Sequence, residues 1–364
     1  MPPFRAAVCH VAPIFLSAKA TTERAIELIH QAARNKANLV VFPESYIPAF
    51  PIWSSILPPT DNHDFFKRIA HESIYANGEE MRAIQAAARA TNTIVSIGFS
   101  EKTRFSTATL YNSNMIISEK GEAVVHHRKL MPTFFEKLTW SPGDGYGLRV
   151  YESEQGYGKI GNLICGENTN PLARYTLMAQ GEQVHISTWP AVWPTRVTTA
   201  AASAGHASPK NYDNVAANKT RAAAHCFEAK AFGILSASFL DHQTIDAIAS
   251  GSKNPEFVTE ALGGAPRGPS MFLDPTGKQI ESAYVVDGGE KVETGQLTDR
   301  EGILYADLDL DETIEGKQYH DVVGGYQRLD VFNLKVDRSR RDPISFVEDQ
   351  NGGEDRKENE TVDL

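Results

Sequence analysis

The protein has 364 residues, of which 41% are hydrophobic and 23% are charged, and its formal net charge is -10. This balance is typical of a soluble globular chain that can bury a large core, as one large domain or two small ones. The negative net charge argues against a nucleic-acid-binding protein, because that function calls for a basic surface.

The apolar runs and the cysteines restrict the location and the chemistry. No run approaches the roughly 18 to 20 apolar residues that cross a bilayer, and the first apolar stretch is too short and too soon polar for a signal peptide. The three cysteines, Cys9, Cys165 and Cys226, are too few and too far apart for a disulfide framework or a zinc site. We therefore expect a cytoplasmic protein with at least one free thiol and no metal site.

Short apolar segments rich in β-branched residues predict buried strands, and longer stretches with helical spacing lie between them. The predicted elements, in chain order, are strand 6–11, helix 21–36, strand 38–42, helix 63–90, strands 93–99, 111–117 and 159–164, helix 171–180, strand 184–188, helix 209–230 and strand 232–237. Their alternation favours an α/β fold with helices packed on sheets. Turn motifs after residue 262 predict a strand-rich last third. The charged residues 337–364 predict a disordered tail behind a domain of residues 1–336.

A cysteine follows one of these predicted strands directly. The strand 159–164 runs into Cys165, and a helix is expected to begin soon after it, with Asn170 as its N-cap and Pro171 in its first turn. The positive end of that helix would favour the thiolate of Cys165, and a nucleophilic thiolate also needs a base or a cation nearby. The alternative is that Cys165 is a small buried hydrophobic residue, and this is how we interpret the other two cysteines.

Two further strand-like segments end in charged residues. The run 38–42 leads into Glu44, where partial removal from water would raise the pKa of the carboxyl group and make it a competent base. The run that begins at Val124 ends in Lys129, whose ammonium group could stabilise a developing negative charge. Each has an ordinary alternative, because Glu44 could be an exposed turn residue and Lys129 part of a solvated surface cluster.

Three separated segments carry a stronger signal when they are taken together. They are Phe42-Pro43-Glu44, residues 127–133 around Lys129, and residues 165–168, which read Cys-Gly-Glu-Asn. In order and flanking sequence they resemble the catalytic blocks of the carbon-nitrogen hydrolase superfamily, whose triad is Glu-Lys-Cys. The resemblance extends from residue 5 to about 335. The flanks are most similar to the nitrilase branch, in particular to fungal and bacterial enzymes that act on arylacetonitriles.

The resemblance has implications for the fold, the assembly and the site. It implies a four-layer α-β-β-α sandwich that forms a homodimer and often extends into spirals or filaments. It also implies that Glu44, Lys129 and Cys165 are the catalytic triad, and that Glu136 is a second active-site glutamate, which fixes Lys129 and the substrate.

The implied reaction is the hydrolysis of an arylacetic, aromatic or aliphatic nitrile to the carboxylic acid and ammonia, through a thioimidate and a thioester on Cys165. The backbone amide of Gly166 would contribute to an oxyanion site, and no step needs a metal or an organic cofactor. Aromatic residues near the three segments in sequence could bind the substrate, although any one of them could equally be ordinary core. They are Tyr46, Trp53, Phe134, Phe135, Trp140, Trp189 and Trp193.

Other functions stay open on the sequence alone. An amidase of the same superfamily would use the same triad on a carbonyl, and a cyanide hydratase is expected to carry tryptophan where Gly166 stands. A third possibility is a non-catalytic filament or scaffold protein that keeps the fold for assembly. Two departures from the family's C-terminal pattern put assembly or activity in doubt: Gly325 replaces an expected histidine and Leu329 an expected proline.

Overall fold

The computed structural model describes residues 4–194, 213–340 and 343. Its strands are β1 (Phe4–His10), β2 (Leu39–Val41), β3 (Ile94–Lys102), β4 (Leu110–Ile117), β5 (Ala123–Arg128), β6 (Tyr151–Glu152), β7 (Lys159–Ile164), β8 (Val184–Trp189), β9 (Phe232–Ala237), β10 (Ser270–Leu273), β11 (Tyr284–Asp287), β12 (Glu290–Glu293), β13 (Gln296–Leu297) and β14 (Gly302–Leu308). Its α-helices are α1 (Ala18–Arg34), α2 (His63–Glu72), α3 (Glu79–Thr91), α4 (Pro171–Met178), α5 (Asn214–Ala229), α6 (His242–Ser250), α7 (Pro255–Gly263) and α8 (Glu312–Glu315).

The strands form two sheets. The first has eight strands in the order β12-β11-β14-β1-β2-β3-β4-β5, and the second has six in the order β13-β10-β9-β8-β7-β6. Within them β1, β2 and β3 are parallel, and so are β7, β8 and β9. These inner strands are buried on both faces, which explains why they appear in the sequence as short segments rich in apolar residues.

The two sheets pack face to face and helices cover both outer faces. One core cluster joins Val8 and Val41 of the first sheet to Ile186 of the second. A second cluster places α1 and α3 on the outer face of the first sheet, for example through Ile29 and Ile84. Two smaller clusters place α4 and α5 on the outer face of the second sheet. The predicted α-β-β-α sandwich is therefore confirmed.

The predicted helix 63–90 is wrong, because the structure has two helices with a bridge to β3 between them. The backbone N–H of Ile74 donates to the carbonyl oxygen of Ser100 at 3.0 Å, and the N–H of Lys102 donates to the carbonyl oxygen of Ile74 at 2.9 Å. The hydroxyl of Ser73 donates to the carbonyl oxygen of Ile69, which ends α2. A tertiary contact thus breaks a segment whose residues favour a continuous helix.

After residue 263 the chain is strand-rich as predicted, with β10 to β14, but the sequence did not predict α6 and α7, which precede this region. Both helices have N-cap side chains that accept a backbone hydrogen bond: Asp241 accepts from Thr244 at 2.8 Å and Asn254 accepts from Phe257 at 3.3 Å. Pro255 occupies the first turn of α7. The N-cap residues and the proline are visible in the sequence, but the segments that follow them were not predicted as helices.

The predicted tail is described only at residues 337–340 and 343, and its other residues lie outside the described part of the chain. Arg340 contacts the body of the protein: its Nη1 donates to Nδ1 of His126 at 2.9 Å, and its Nε lies 3.2 Å from a carboxylate oxygen of Asp144. The guanidinium group also lies over the ring of Tyr146. We therefore propose that the domain includes residues 337–340 and does not end at residue 336.

In the described part of the chain, no helix is both long enough and apolar enough to cross a membrane. All three cysteines are free and buried.

Candidate active site

The strand directions bring the three predicted catalytic residues to one edge of the sandwich. Glu44 follows β2 by three residues, Lys129 directly follows β5, and Cys165 directly follows β7. β2 is parallel to β3, and β4 is antiparallel to both β3 and β5. β5 therefore runs in the same direction as β2. The carboxyl ends of these strands therefore deliver an acid, an ammonium group and a thiol to the same region.

Lys129 occupies the centre of this cluster. Its ammonium Nζ donates to Glu44 Oε1 at 2.8 Å and to the two carboxylate oxygens of Glu136 at 2.8 and 2.7 Å. All three side chains are fully buried. Glu136 is held in turn by a capping box at a short 3-10 helix (Phe134–Leu138), where its carboxylate accepts from the backbone N–H of Thr133 at 3.0 Å. The structure thus brings Glu136 to the position that the resemblance implies.

Cys165 completes the cluster. Its Sγ, one carboxylate oxygen of Glu44 and one of Glu136 all lie within 4.8 Å of one another. The backbone φ of Cys165 is +52°, in the left-handed region that a non-glycine residue rarely adopts. Such strain at a strand end turns the side chain out of the sheet and is common where a nucleophile must be presented.

Burial sets the protonation of these groups. It raises the pKa of Glu44 to about 7, because the charges of Lys129 and the hydrogen bond from Asn112 offset only part of the cost of leaving water. Burial and the nearby Glu44 carboxylate also raise the pKa of the Cys165 thiol, although Lys129 opposes this. The pKa of Lys129 is raised, since burial lowers it but the surrounding negative charges outweigh that effect.

The expectation that a helix dipole favours the Cys165 thiolate is therefore wrong for the resting protein. A 3-10 helix (Cys165–Thr169) follows the strand, and α4 begins only at Pro171. Desolvation is the larger effect, so the resting thiol keeps its proton until a base removes it. Glu44, with a pKa near neutrality, is the base at hand.

Three polar residues support this cluster and had no role assigned from the sequence. The first is Asn112 on β4, whose Nδ2 donates to Glu44 Oε1 at 2.7 Å and whose carbonyl oxygen accepts from the backbone N–H of Lys129. Its importance depends on the pairing of β4 with β5, so no local signal could have identified it.

The second is Glu167, which ties two of the catalytic strand ends together. Its Oε1 accepts from the backbone N–H of Leu130, next to the buried lysine, at 2.6 Å. Its Oε2 accepts from the backbone N–H of Ile164, next to the thiol, and from Nε2 of His127, both at 2.9 Å. His127 and these amides outweigh burial and lower the pKa of Glu167. The signal for this role was its place in the Cys-Gly-Glu-Asn motif.

The third is Asn168, which holds the turn of the cysteine. Its Nδ2 donates to the carbonyl oxygens of Leu163 and Cys165 at 3.2 and 3.0 Å, so its Oδ1, 2.8 Å from His185 Nε2, accepts a hydrogen bond. His185 Nδ1 lies 2.9 Å from the Glu182 carboxylate, which also only accepts. His185 therefore bridges the Glu182 carboxylate and the Asn168 side chain through its two ring nitrogens.

Glu182 lies at the other end of this hydrogen-bond network and contacts both His185 and His225. It also accepts from His225 Nε2 at 2.6 Å, and the two imidazole rings stack at 3.6 Å between their centroids. Burial lowers the pKa of His225 to about 4, so this second ring is neutral. Burial would raise the pKa of Glu182, but the two histidines outweigh it and lower that pKa to about 2. The buried contact between Glu182 and His185 therefore holds the asparagine that holds the cysteine turn.

A cavity opens directly beside the thiol. It is lined by Thr133, Cys165, Gly166, Trp189, Pro190, Trp193, Asn214, Asn218 and Arg221. Gly166 and two of the seven aromatic candidates, Trp189 and Trp193, are on its wall. The three polar residues from α5 were not foreseen, because their helix is distant in sequence from every motif.

The other aromatic residues do not line this cavity. Tyr46 and Trp53 are fully buried in two different core clusters. Phe135 and Trp140 pack in the same cluster as Trp53. Phe134 is 71% exposed and has φ of +50°, which turns it towards solvent. Closeness in sequence to a catalytic residue did not reveal which face of the backbone each ring occupies.

Two buried clusters in the described part of the chain bring three metal-ligating atoms within 4.8 Å of one another. In the first, made of Glu44, Glu136 and Cys165, the ammonium of Lys129 already supplies the positive charge between the carboxylates. In the second, Glu182 accepts from both histidines, and a cation would have to displace those protons. A cation would therefore have to compete with the Lys129 ammonium in the first cluster and with the histidine protons in the second.

Comparison with known proteins agrees with this geometry. The family model for carbon-nitrogen hydrolases matches residues 5–318. Among solved structures, a carbon-nitrogen hydrolase from Helicobacter pylori superimposes with a TM-score of 0.63 at 20% identity, over 90% of this chain and 96% of that one. Nit3 of Saccharomyces cerevisiae, from branch 10 of the nitrilase superfamily, gives 0.61 at 19% identity, over the same shares. The chain belongs to the carbon-nitrogen hydrolase family.

The relatives by sequence point to one part of that family. A nitrilase from Penicillium rubens is 31% identical over 95% of this chain and 96% of its own length. An arylacetonitrilase from Fusarium vanettenii is also 31% identical, over 94% of this chain and 95% of its own. A cyanide hydratase from Penicillium rubens is 29% identical, over 96% and 90%. The predicted similarity to the nitrilase branch is confirmed.

Proposed function

We propose that this protein hydrolyses an organic nitrile to the carboxylic acid and ammonia through a covalent intermediate on Cys165. One observation carries the proposal: a thiol, two carboxylates and an ammonium group converge in a buried cluster that opens on a cavity. The nitrilase and arylacetonitrilase relatives support a nitrile as the substrate.

In the first half of the reaction, Glu44 takes the thiol proton and the sulfur attacks the nitrile carbon. Glu44 Oε1 is occupied by Lys129 and Asn112, whereas its Oε2 has no hydrogen-bond partner among the described residues. Oε2 is therefore the atom that receives the proton. The same proton is then delivered to the nitrile nitrogen, and a thioimidate forms.

In the second half, Glu44 activates water for addition to the thioimidate. The tetrahedral species loses ammonia and becomes a thioester, which a second water hydrolyses to the acid. Lys129 stabilises the negative charge that develops in each addition, and the backbone amide of Gly166, which lines the cavity, contributes to the same task. Glu136 keeps the ammonium in place.

Ammonia release from a panel of aliphatic, aromatic and arylacetic nitriles tests this proposal, with Cys165→Ala beside the parent protein. We expect turnover by the parent and none by the variant. Turnover of phenylacetamide together with no turnover of phenylacetonitrile would instead identify an amidase. Formamide production from cyanide would identify a cyanide hydratase, the activity named for one relative, although Gly166 stands where we expect tryptophan in that enzyme. No turnover of any of these, with Cys165 unreactive towards iodoacetamide, would favour a non-catalytic scaffold.

We also propose that the protein is a cytoplasmic homo-oligomer built from dimers. Large apolar side chains of the C-terminal segment are exposed, and a second copy of the chain would cover them. They are Tyr319, Tyr326, Leu329, Val331, Phe332 and Leu334. The three free thiols support the location, because such cysteines persist in a reducing compartment. Light scattering of the purified protein measures the assembly.

A further inference from the structure

The cavity beside Cys165 contains a cation that the proposed mechanism does not use. Arg221 lies on α5, seven residues after Asn214 and three after Asn218, so the three side chains share one face of the helix. All three line the cavity together with the thiol. Trp189, Pro190 and Trp193 also line the cavity.

Among the described residues, the guanidinium group of Arg221 has only long hydrogen bonds. Its Nη1 reaches the carbonyl oxygen of Ala217 at 3.5 Å and Oδ1 of Asn218 at 3.4 Å, both on its own helix and both longer than an ordinary hydrogen bond. Its other contact is with the face of the Trp189 ring, 5.5 Å from the centroid. Among the described residues no carboxylate lies within 4.0 Å of it, and residues 195–212 contain neither Asp nor Glu.

Other arginines of this protein show what such a group normally does. Arg174 on α4 pairs with Glu228, and Arg24 on α1 pairs with Glu301 through two hydrogen bonds. A guanidinium fork matches a carboxylate well, and leaving its donors unpaired is costly. The space in front of Arg221 is the substrate cavity, so a substrate group can supply the missing acceptor.

We propose that Arg221 binds a carboxylate carried by the substrate, so that the preferred nitriles are cyanocarboxylic acids. This inference rests on the proposed nitrile hydrolysis and names its substrate class. The charges of the cavity favour one orientation: Glu44 and Glu136 repel an anion from the thiol, whereas Arg221 attracts the anion to its guanidinium group. The nitrile carbon then faces Cys165.

Kinetics with a matched pair of nitriles test the assignment. 4-Cyanobutanoic acid carries the carboxylate, and hexanenitrile has a similar chain without it. We expect Arg221→Gln to lower kcat/KM for the acid about 10- to 100-fold more than for hexanenitrile, as loss of a charged hydrogen-bonding partner predicts. Arg221→Lys should fall between, because it keeps the charge and loses the fork.

A control comes from the same helix. Lys219→Gln removes one positive charge, but the Lys219 ammonium contacts Gln279 Oε1 at 3.2 Å and does not line the cavity. This variant should keep the parent's preference between the two nitriles. If Arg221→Gln lowers kcat/KM equally for both nitriles, Arg221 acts on the thiol and the inference is overturned.

Alkylation of Cys165 separates this inference from the proposed function. Iodoacetate and iodoacetamide have the same reactive carbon, and only the first is an anion. We expect the iodoacetate-to-iodoacetamide rate ratio at Cys165, read by mass spectrometry, to fall about tenfold in Arg221→Gln and to stay unchanged in Lys219→Gln. A fall without nitrile turnover would overturn the nitrilase proposal and keep the anion site. An unchanged ratio in an active enzyme would overturn the anion site.

Discussion

The carboxyl group of Glu44 has a pKa of about 7 because burial removes it from water. Only the ionised form can take the thiol proton, so we expect kcat/KM to fall about tenfold per pH unit below about pH 7. The hydrogen bond from Asn112 lowers this pKa. Asn112→Leu should therefore raise it and move the acid limb to higher pH, as measured in a profile from pH 5 to 9.

A second buried asparagine on the same strand is the control for this shift. Asn114 lies two residues further along β4 and bonds to Ser96 instead of Glu44. Asn114→Leu should leave the position of the acid limb unchanged. An acid limb that does not move in Asn112→Leu would contradict the assignment of Glu44 as the base.

The ammonium of Lys129 neutralises two buried carboxylates. Lys129→Met shortens the side chain by only one atom and leaves Glu44 and Glu136 without their cation. We therefore expect loss of turnover and a decrease of about 3–5 kcal/mol in the free energy of unfolding. Adding Glu136→Gln to this variant removes one stranded charge and should recover part of the stability without the activity. Urea unfolding measures both, and a Lys129→Met variant as stable as the parent would refute the argument.

At the scale of elements, the close approach of β3 positions the segment that carries Glu44. A Cβ at Gly98 would lie 2.3 Å from the carbonyl oxygen of Pro43 and 2.6 Å from the backbone nitrogen of Ser45. Gly98→Ala should therefore displace this segment, with a loss of about 1–3 kcal/mol of unfolding free energy and a decrease in kcat/KM of roughly tenfold or more.

Gly302 on β14 is the matched control for that substitution. A Cβ there would lie 3.3 Å from the nearest atom, the flexible Cδ1 of Leu297. We expect Gly302→Ala to fold with near-parent stability and activity. Equal behaviour of the two alanine variants would show that β3 does not constrain the glutamate segment.

The hydrogen-bond network from Glu182 through His185 to Asn168, which holds the turn of Cys165, leads to a similar prediction. His185→Phe keeps an aromatic ring against His225 but removes the hydrogen bonds to Glu182 and Asn168, so we expect a loss of about 1–3 kcal/mol of stability. The freed turn of Cys165 should also lower kcat/KM roughly 10- to 100-fold.

His225→Phe provides the comparison, because it removes a bond to the same glutamate and none to the asparagine. It should lose a similar stability and keep much more of its activity. If the two phenylalanine variants lose activity equally, the chain from Glu182 to Asn168 stabilises the fold without positioning the thiol.

At the scale of the whole molecule, the exposed C-terminal segment predicts assembly. Leu329 and Phe332 are 77% and 71% exposed, and a second copy would bury them. Leu329→Asp combined with Phe332→Asp should reduce the particle mass by light scattering, because a charge in an apolar interface is costly. Phe105→Asp, at a site 49% exposed between β3 and β4, should leave the mass unchanged. A double variant with the mass of the parent would contradict the proposed interface.

The layered fold and the identity of the central chemical groups could be predicted from the amino-acid sequence. Strands buried on both faces are rich in apolar residues, so β1 to β4 and β7 to β9 were predicted from the sequence. Glu44 and Cys165 were identified because each follows such a strand, and Lys129 because it follows the strand-like run of β5, each within a recognisable motif. Local sequence patterns indicate which strands are buried and where they end. This information was sufficient to predict the layered fold and the three central residues.

The surroundings of those groups depend on the tertiary structure. Asn112 and His185 matter through partners 68 and 17 residues away, and Arg221 matters because α5 turns one face into the cavity. The protonation of the Cys165 thiol also depends on its surroundings. A strand-to-helix junction favours the thiolate, but burial raises the pKa of this thiol and keeps it protonated. Desolvation and hydrogen-bond partners depend on which distant residues enclose a group, and spacing along the chain does not specify that enclosure.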